Sequence, residues 1–135
     1  INQTDKTAFV RDVTIPDMTS ILTGSSFTKK WALKNAGSEH WFKRRLRCMD
    51  SDYVMARRDS PGILVEQASI SLKPTTREIV IPDTAPGAVV TLAVDFVAPT
   101  HPCTTLSTWK MVNEVGELCF PNLAGLWCLV KVYDL

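Results

Sequence analysis

The sequence is poor in histidine and lacks the short motifs of common catalytic sites. His40 and His101 are the only two histidines among 135 residues, and no Gly-x-Ser-x-Gly, His-Glu-x-x-His or glycine-rich phosphate loop is present. Sites built on those motifs are therefore excluded. His40 could act as a general base on Ser38 or Cys48. It follows a turn sequence, however, so a surface position is the better prediction, and we expect no enzymatic activity.

Long apolar runs are also missing. The longest, 88–94 and 126–132, are interrupted by Thr91 and Lys131. Each is far shorter than the roughly 20 residues that a membrane-spanning helix needs. Residues 1–11 are polar and lack the apolar centre of a signal peptide. We expect no membrane insertion, and the missing initiator methionine leads us to expect a fragment of a longer protein.

Neither sign of charge dominates. There are 15 Lys and Arg against 14 Asp and Glu, for a net charge of +1. Binding to nucleic acid usually requires a strong basic excess, so it is not expected here. A local basic cluster does occur at Lys43, Arg44, Arg45 and Arg47. We interpret it as a solvated strand face, with a patch facing an acidic partner as the alternative.

The four cysteines form no Cys-x-x-Cys pair and have no histidine at zinc-finger spacing. They are Cys48, Cys103, Cys119 and Cys128. We expect free thiols in a reducing, cytoplasmic compartment. The acidic residues are also too sparse for a calcium loop. We expect no metal and no cofactor.

Alternation of apolar and polar residues dominates the chain, and no amphipathic helix is evident. Strands are predicted at 9–15, 26–35, 45–50, 63–72, 79–81, 90–96, 106–112 and 126–133, with a hairpin partner after 113–117 and an exposed loop at 51–62. Seven to nine short strands separated by Gly and Pro turns indicate an all-β, immunoglobulin-like antiparallel sandwich. The Cys…Trp…Cys spacing of true immunoglobulin domains is absent, so no inter-sheet disulfide is expected. Residues 1–8 are predicted to be a flexible lead-in to a single domain at 9–135.

Aromatic positions separate into core and contact candidates. Phe27, Trp31 and Leu33 share one face of an alternating strand, opposite Thr28, Lys30 and Lys34, and are predicted core residues. Trp109 and Trp127 lie in more uniformly apolar strands and are also assigned to the core. Trp41 and Phe42 are adjacent, so one of them must face outward. We predict that this pair supplies an exposed contact for a protein partner, with Trp41 as the outlier among the tryptophans.

Predicted loops supply the other contact candidates. Phe120 and Leu123 lie with small residues in a segment that resembles the rim of an apolar pocket. Four acidic side chains in loops could hold a basic group, including the free amine at the start of a peptide. They are Asp50, Asp52, Glu114 and Glu117.

The order of tryptophans, glycines and prolines is similar to that of a known domain family. The segments DVTIPD at 12–17 and FTKKWALKNAG at 27–37 precede Trp41; APG at 85–87 and VDFVAP at 94–99 follow; WKM at 109–111, GELCF at 116–120 and Trp127 complete the pattern. This pattern resembles the four-tryptophan (FW) domain of selective autophagy receptors of the Next-to-BRCA1 type, and its divergent 43–80 segment suggests a fungal member.

The resemblance implies an immunoglobulin-like, non-catalytic domain that captures protein cargo. In fungal receptors of this kind the cargo includes oligomeric vacuolar hydrolases such as α-mannosidase, which travel from the cytoplasm through the autophagosome to the vacuole. Atg8-family proteins would bind regions outside this chain. A scaffolding spacer, or a module for a transcription or signalling partner, is the alternative, because the same domain occurs in a regulator of antiviral and inflammatory transcription.

Overall fold

The computed structural model describes residues 4–50, 56–60, 63–66 and 70–135, with the backbone alone at 56–60 and 63–66. Within those ranges the chain forms eleven strands and no α-helix. They are β1 Thr7–Asp12, β2 Thr19–Leu22, β3 Ser26–Asn35, β4 Arg44–Cys48, β5 Ala56–Ser60, β6 Ile63–Glu66, β7 Lys73–Pro74, β8 Glu78–Ile81, β9 Val89–Val97, β10 Cys103–Val112 and β11 Leu126–Tyr133. No helix in this described part of the chain is long and apolar enough to cross a membrane.

Two sheets pack face to face. One has the strand order β1-β3-β9-β7 and the other the order β2-β11-β10-β4-β8, while β5 and β6 form a separate hairpin. The described strand pairings are antiparallel except β2 with β11, which is parallel. The described cysteines are all free. The prediction of an immunoglobulin-like sandwich without the inter-sheet disulfide is confirmed, with one parallel edge strand added.

The clearest sequence patterns gave the most accurate strand predictions. β3 and β11 have the predicted bounds, and β9 extends the predicted 90–96 by one residue at each end. In β9 the residues Leu92, Val94 and Phe96 are buried, while the alternating Thr91, Ala93 and Asp95 are exposed. Period-2 alternation is therefore a reliable signal where one face of a strand packs on the opposite sheet.

The divergent middle segment differs from prediction. The loop expected at 51–62 contains β5, which pairs with β6, and β6 ends at Glu66 rather than 72. The hairpin partner expected after 113–117 is reduced to a single bridge between Val112 and Leu118. Residues 51–55, 61–62 and 67–69 lie outside the described residues, and the predicted contact residue Asp52 is among them.

The core is an aromatic cluster between the sheets. The Trp109 ring lies 6.5 Å from that of Trp31 and 6.2 Å, edge-on, from that of Phe96. Phe96 stacks on Phe27 at 5.6 Å. Trp31, Leu33 and Trp109 are buried and Phe27 packs against them, so these predicted core residues are confirmed. Edge and offset contacts of this kind favour a specific packing over a loosely collapsed core.

Candidate functional site

Each of the four indole N–H groups has an acceptor, and the acceptors differ in kind. Trp31 donates to the carbonyl oxygen of Trp127 at 2.9 Å, and Trp109 donates to Ser107 Oγ at 2.8 Å. Trp41 and Trp127 instead donate to the carboxylates of Asp5 and Asp17, at 3.2 and 3.3 Å. The first two tryptophans are therefore tied within the core, and the other two are tied to charged residues distant in sequence.

Trp41 is fully buried, so the prediction that it is the exposed tryptophan is wrong. Its backbone forms a two-bond bridge with Thr84, and the guanidinium of Arg44 lies 5.7 Å from its ring. Phe42 takes the outward position, is 59% exposed, and stacks on His40 at 4.1 Å. Of the adjacent pair, Phe42 alone remains a candidate contact.

Trp127 is 41% exposed, so its assignment to the core is also wrong. In β11 the side chains of Leu126, Cys128 and Val130 are buried, which places Trp127 on the opposite face. The apolar run Leu-Trp-Cys-Leu-Val hid this alternation, because outward positions also carry apolar residues. An indole left this accessible beside a hollow is a typical anchor for a protein partner.

An open groove lies between the edge strand β1 and the segment that leads into β11. One hollow of about 140 Å³ is lined by Thr7, Phe9, Leu33, Leu46, Trp109, Lys110, Met111, Phe120, Leu123, Ala124, Gly125 and Leu126. A second, of about 220 Å³, is lined by Phe9, Asp12, Asp17, Trp31, Gly125, Leu126 and Trp127. The two share Phe9, Gly125 and Leu126, and together we call them the edge groove.

The edge groove exposes apolar side chains. Phe9 is 54%, Leu123 47% and Trp127 41% exposed. Each hollow is smaller than the roughly 300–1,000 Å³ of pockets that enclose small molecules. Each hollow has room for a side chain rather than for an enclosed small molecule. The predicted pocket rim at Phe120 and Leu123 falls in it.

Gly125 allows the wall of the groove to lie against β10. Its φ is +87°, and a Cβ atom there would lie 2.4 Å from the carbonyl oxygen of Trp109. A side chain would push the 120–125 segment away from the strand, because backbone cannot yield as a flexible side chain can. This glycine therefore sets the width of the groove.

Lys29 fixes the acidic end of the groove and was missed by sequence analysis. Its side chain is 0% exposed, and Nζ donates to Asp12 Oδ1 at 2.7 Å and to the carbonyl oxygen of Ile15 at 2.6 Å. Ile15 has a φ of +52°, a strained value for a β-branched residue. The lysine thus holds the turn that carries Asp17. Its position in β3, on the same face as Phe27 and Trp31, is the sequence feature that could have predicted its burial.

A family model decides the relationship of the chain to known proteins. The model described as the immunoglobulin-like domain from next to BRCA1 gene matches residues 14–132. The chain belongs to this family.

Its relatives in the Next-to-BRCA1 family are distant and much longer. The Next to BRCA1 gene 1 protein is 29% identical over 126 residues in mouse and 28% over 126 in human, covering 93% of this chain and 11% of each relative. Protein JOKA2 of Solanum tuberosum is 27% identical over 124 residues, covering 92% of the chain and 12% of that protein. The chain thus spans about an eighth or less of these relatives.

A solved structure, the ASH / PapD-like domain of human CEP192 (PapD-like domain 7), is similar at a TM-score of 0.46 and 12% identity, covering 98% of this chain and 87% of that one.

The acidic residues predicted as contacts have different environments in this domain of the Next-to-BRCA1 family. Asp50 is not a free loop carboxylate, since Oδ2 accepts from Ser107 Oγ at 2.6 Å and Oδ1 from the Thr108 amide at 2.9 Å. Glu114 and Glu117 are exposed; Glu114 lies 3.6 Å from Lys43 Nζ, and Glu117 accepts from Asn113 at 3.4 Å. The first therefore stabilises β10, and the other two stay predicted contacts.

The basic cluster on β4 is paired within the domain. Arg45 and Arg47 both contact the carboxylate of Glu78, and Arg47 also donates to the carbonyl oxygen of Gly116 at 3.2 Å. Arg44 pairs with Asp5. Each of these arginines thus has an acidic partner within the chain, while the side chains of Arg45 and Arg47 stay 35% and 37% exposed.

Burial suppresses the reactivity of the cysteines. It raises the pKa of Cys48, Cys103 and Cys119, and raises the pKa of Cys128 to about 12. Thiolate is the reactive and metal-binding form. Within the described ranges no group of three or more His, Cys, Asp or Glu side chains could hold a metal ion. Cys48 and Cys128 belong to the hydrophobic core, and Cys103 and Cys119 pack against it.

Proposed function

We propose that this domain is the non-catalytic, protein-binding module of a selective autophagy receptor, and that it captures a protein cargo on the edge groove. Membership of the Next-to-BRCA1 family supports a role in protein interaction. The observation that carries the proposal is the exposure of Phe9, Leu123 and Trp127 along one continuous groove.

The groove favours an extended segment of a partner. Its apolar part, beside Phe120 and Leu123, is suited to aliphatic or aromatic side chains. Its other end presents Asp17, an exposed carboxylate, beside the half-exposed indole of Trp127. A basic group of the partner would find a negative charge there. Among the described acidic residues predicted as contacts elsewhere, Glu114 and Glu117 remain candidates.

We propose an oligomeric vacuolar hydrolase such as α-mannosidase as the cargo. The receptor would hold it in the cytoplasm for delivery through the autophagosome to the vacuole, and Atg8-family proteins would bind other parts of the full-length receptor. An oligomer presents several copies of the same segment, which raises the avidity of a receptor that itself clusters.

Calorimetric titration of the purified domain with purified α-mannosidase tests the proposal. Leu123→Asp and Phe9→Asp should each weaken binding at least tenfold, because a charge would be placed in the apolar contact. Val115→Asp and Val80→Asp are matched controls, since those valines are 77% and 74% exposed and do not line the groove. Binding that all four variants weaken equally, or no binding of the hydrolase by the unaltered domain, would contradict the assignment.

A further inference from the structure

Residues 4–6 lie across a turn of the domain like a bound peptide. The amide of Ser38 donates to the carbonyl oxygen of Thr4 at 2.8 Å, and the amide of Ala36 donates to that of Lys6 at 3.1 Å. Between these bonds, a Cβ on Gly37 would lie 2.2 Å from the Thr4 oxygen. Only glycine permits this approach, so the backbone of the segment is recognised directly.

The side chain in the middle of the segment enters a closed cationic site. Asp5 Oδ1 accepts from Arg44 Nη1 at 3.0 Å and from the Trp41 indole at 3.2 Å, while Oδ2 lies 2.9 Å from Arg44 Nη2. Both charged side chains are 11% exposed. A two-point guanidinium contact with an added N–H donor is specific for a planar carboxylate.

The receiving site is held in place by contacts that do not involve residues 4–6. Asn35 is fully buried and shapes the turn by donating to the carbonyl oxygens of Glu39 and Thr84 and accepting from the Gly37 amide. Trp41 is bridged to Thr84, and Arg44 lies in β4, paired with β8. The turn and the backbone positions of Trp41 and Arg44 are thus held by the body of the domain.

We propose that the turn at 36–38, with Trp41 and Arg44, is a second peptide-binding site that accepts an extended segment carrying an aspartate. Residues 4–6 are its occupant in this structure and compete in cis with an aspartate-bearing segment of a partner protein. The cis segment has the advantage of a high effective concentration, so a partner binds only when that segment is released. This site is separate from the edge groove.

The test uses the whole chain with Asp5→Asn, which removes the carboxylate of the cis segment and leaves its shape. A fluorescently labelled peptide of residues 1–8 is titrated against it by polarisation. Binding should be at least tenfold tighter than to the unaltered chain. The same peptide with Asp5→Asn should bind at least tenfold more weakly than the aspartate form. Equal binding of the two peptides, or no binding to the folded variant, overturns the proposal.

If the Asp5→Asn chain does not fold, amide hydrogen exchange on the unaltered chain tests whether residues 4–6 can leave the site. The Ala36 and Ser38 amides donate to the segment, whereas the Asn35 amide donates to the carbonyl oxygen of Ala88 in the body of the domain. A releasable occupant predicts exchange of Ala36 and Ser38 at least tenfold faster than that of Asn35. Exchange of all three at one rate, that of global unfolding, would show that the segment is a fixed part of the fold.

Discussion

Trp41 and Trp127 both donate an indole N–H to an aspartate, yet one pair is enclosed and the other is open. Trp41 is 0% exposed, and its partner Asp5 is neutralised by Arg44. Trp127 is 41% exposed, and its partner Asp17 is exposed as well. The same pairing therefore serves two purposes. At Trp41 the charge is balanced and closes the fold, whereas at Trp127 the ring and the carboxylate remain available beside a groove.

Replacing each of the two tryptophans by alanine should give the largest difference in the free energy of unfolding between the two regions. Trp41→Ala should lower the free energy of unfolding by about 3–5 kcal/mol, since it leaves a large cavity in the core. Trp127→Ala should lower it by less than about 1 kcal/mol, because much of the ring already contacts water. Urea unfolding followed by circular dichroism measures both. Equal losses would contradict the burial assigned to the two rings.

Substituting the two aspartates should also destabilise the enclosed site more than the open one, with a smaller difference than for the tryptophans. Asp5→Asn removes the counter-charge of a nearly buried arginine and should lower the free energy of unfolding by about 2–3 kcal/mol. Asp17→Asn removes the charge from an exposed hydrogen-bond acceptor and should change the free energy of unfolding by less than about 0.5 kcal/mol. The same urea titrations apply. A large loss at Asp17 would show that the open end of the groove is a structural element after all.

Alanine substitutions at two glycines distinguish the steric effect of a Cβ in the groove wall from the general free-energy cost of a non-glycine residue at positive φ. Gly125 and Gly116 have φ values of +87° and +90°. At Gly125 a new Cβ meets backbone of Trp109, whereas at Gly116 the nearest atom is the end of the Arg47 side chain at 3.2 Å.

Gly125→Ala should therefore destabilise the domain by about 1–3 kcal/mol more than Gly116→Ala. It should also weaken cargo binding, since the wall of the groove moves. Thermal unfolding gives the first result and calorimetry the second. Equal destabilisation by the two variants would mean that the 120–125 segment can shift without cost.

The pH dependence of stability tests whether Cys128 is buried on the inward face of β11, opposite Trp127. Burial raises the pKa of this thiol to about 12, against about 8.5 for an exposed cysteine. At a pH below the pKa of the exposed thiol, Cys128 keeps its proton in both the folded and the unfolded state. Above it the unfolded chain ionises first, so stability should fall as the pH rises, by about 1.4 kcal/mol per unit. Unfolding at pH 8 to 10.5 should show a shallower fall in Cys128→Ala, whereas identical slopes would contradict a buried thiol.

The sequence predicts strands whose two faces differ in polarity better than strands that are apolar on both faces or contacts between residues distant in the chain. In β3 the outward residues are mostly polar, and in β9 Thr91 and Asp95 mark the outward face, so alternation identifies the buried face. In β11 both faces are apolar near Trp127, and the pattern cannot tell a core residue from a contact. Trp41 follows a turn, and its indole donates to Asp5, 36 residues earlier in the chain. β2 has only four residues and pairs in parallel with the last strand, a relation that local patterns do not contain.

The central claim is that the cargo is received on the edge groove beside Trp127 while residues 4–6 keep the separate site at Trp41 closed. The indole N–H signals of the ¹⁵N-labelled domain report on both rings directly. On titration with α-mannosidase, the Trp127 signal should shift or lose intensity well before the Trp41 signal, and Leu123→Asp should abolish that difference. A response centred on Trp41, or an equal response of the two, would contradict the account.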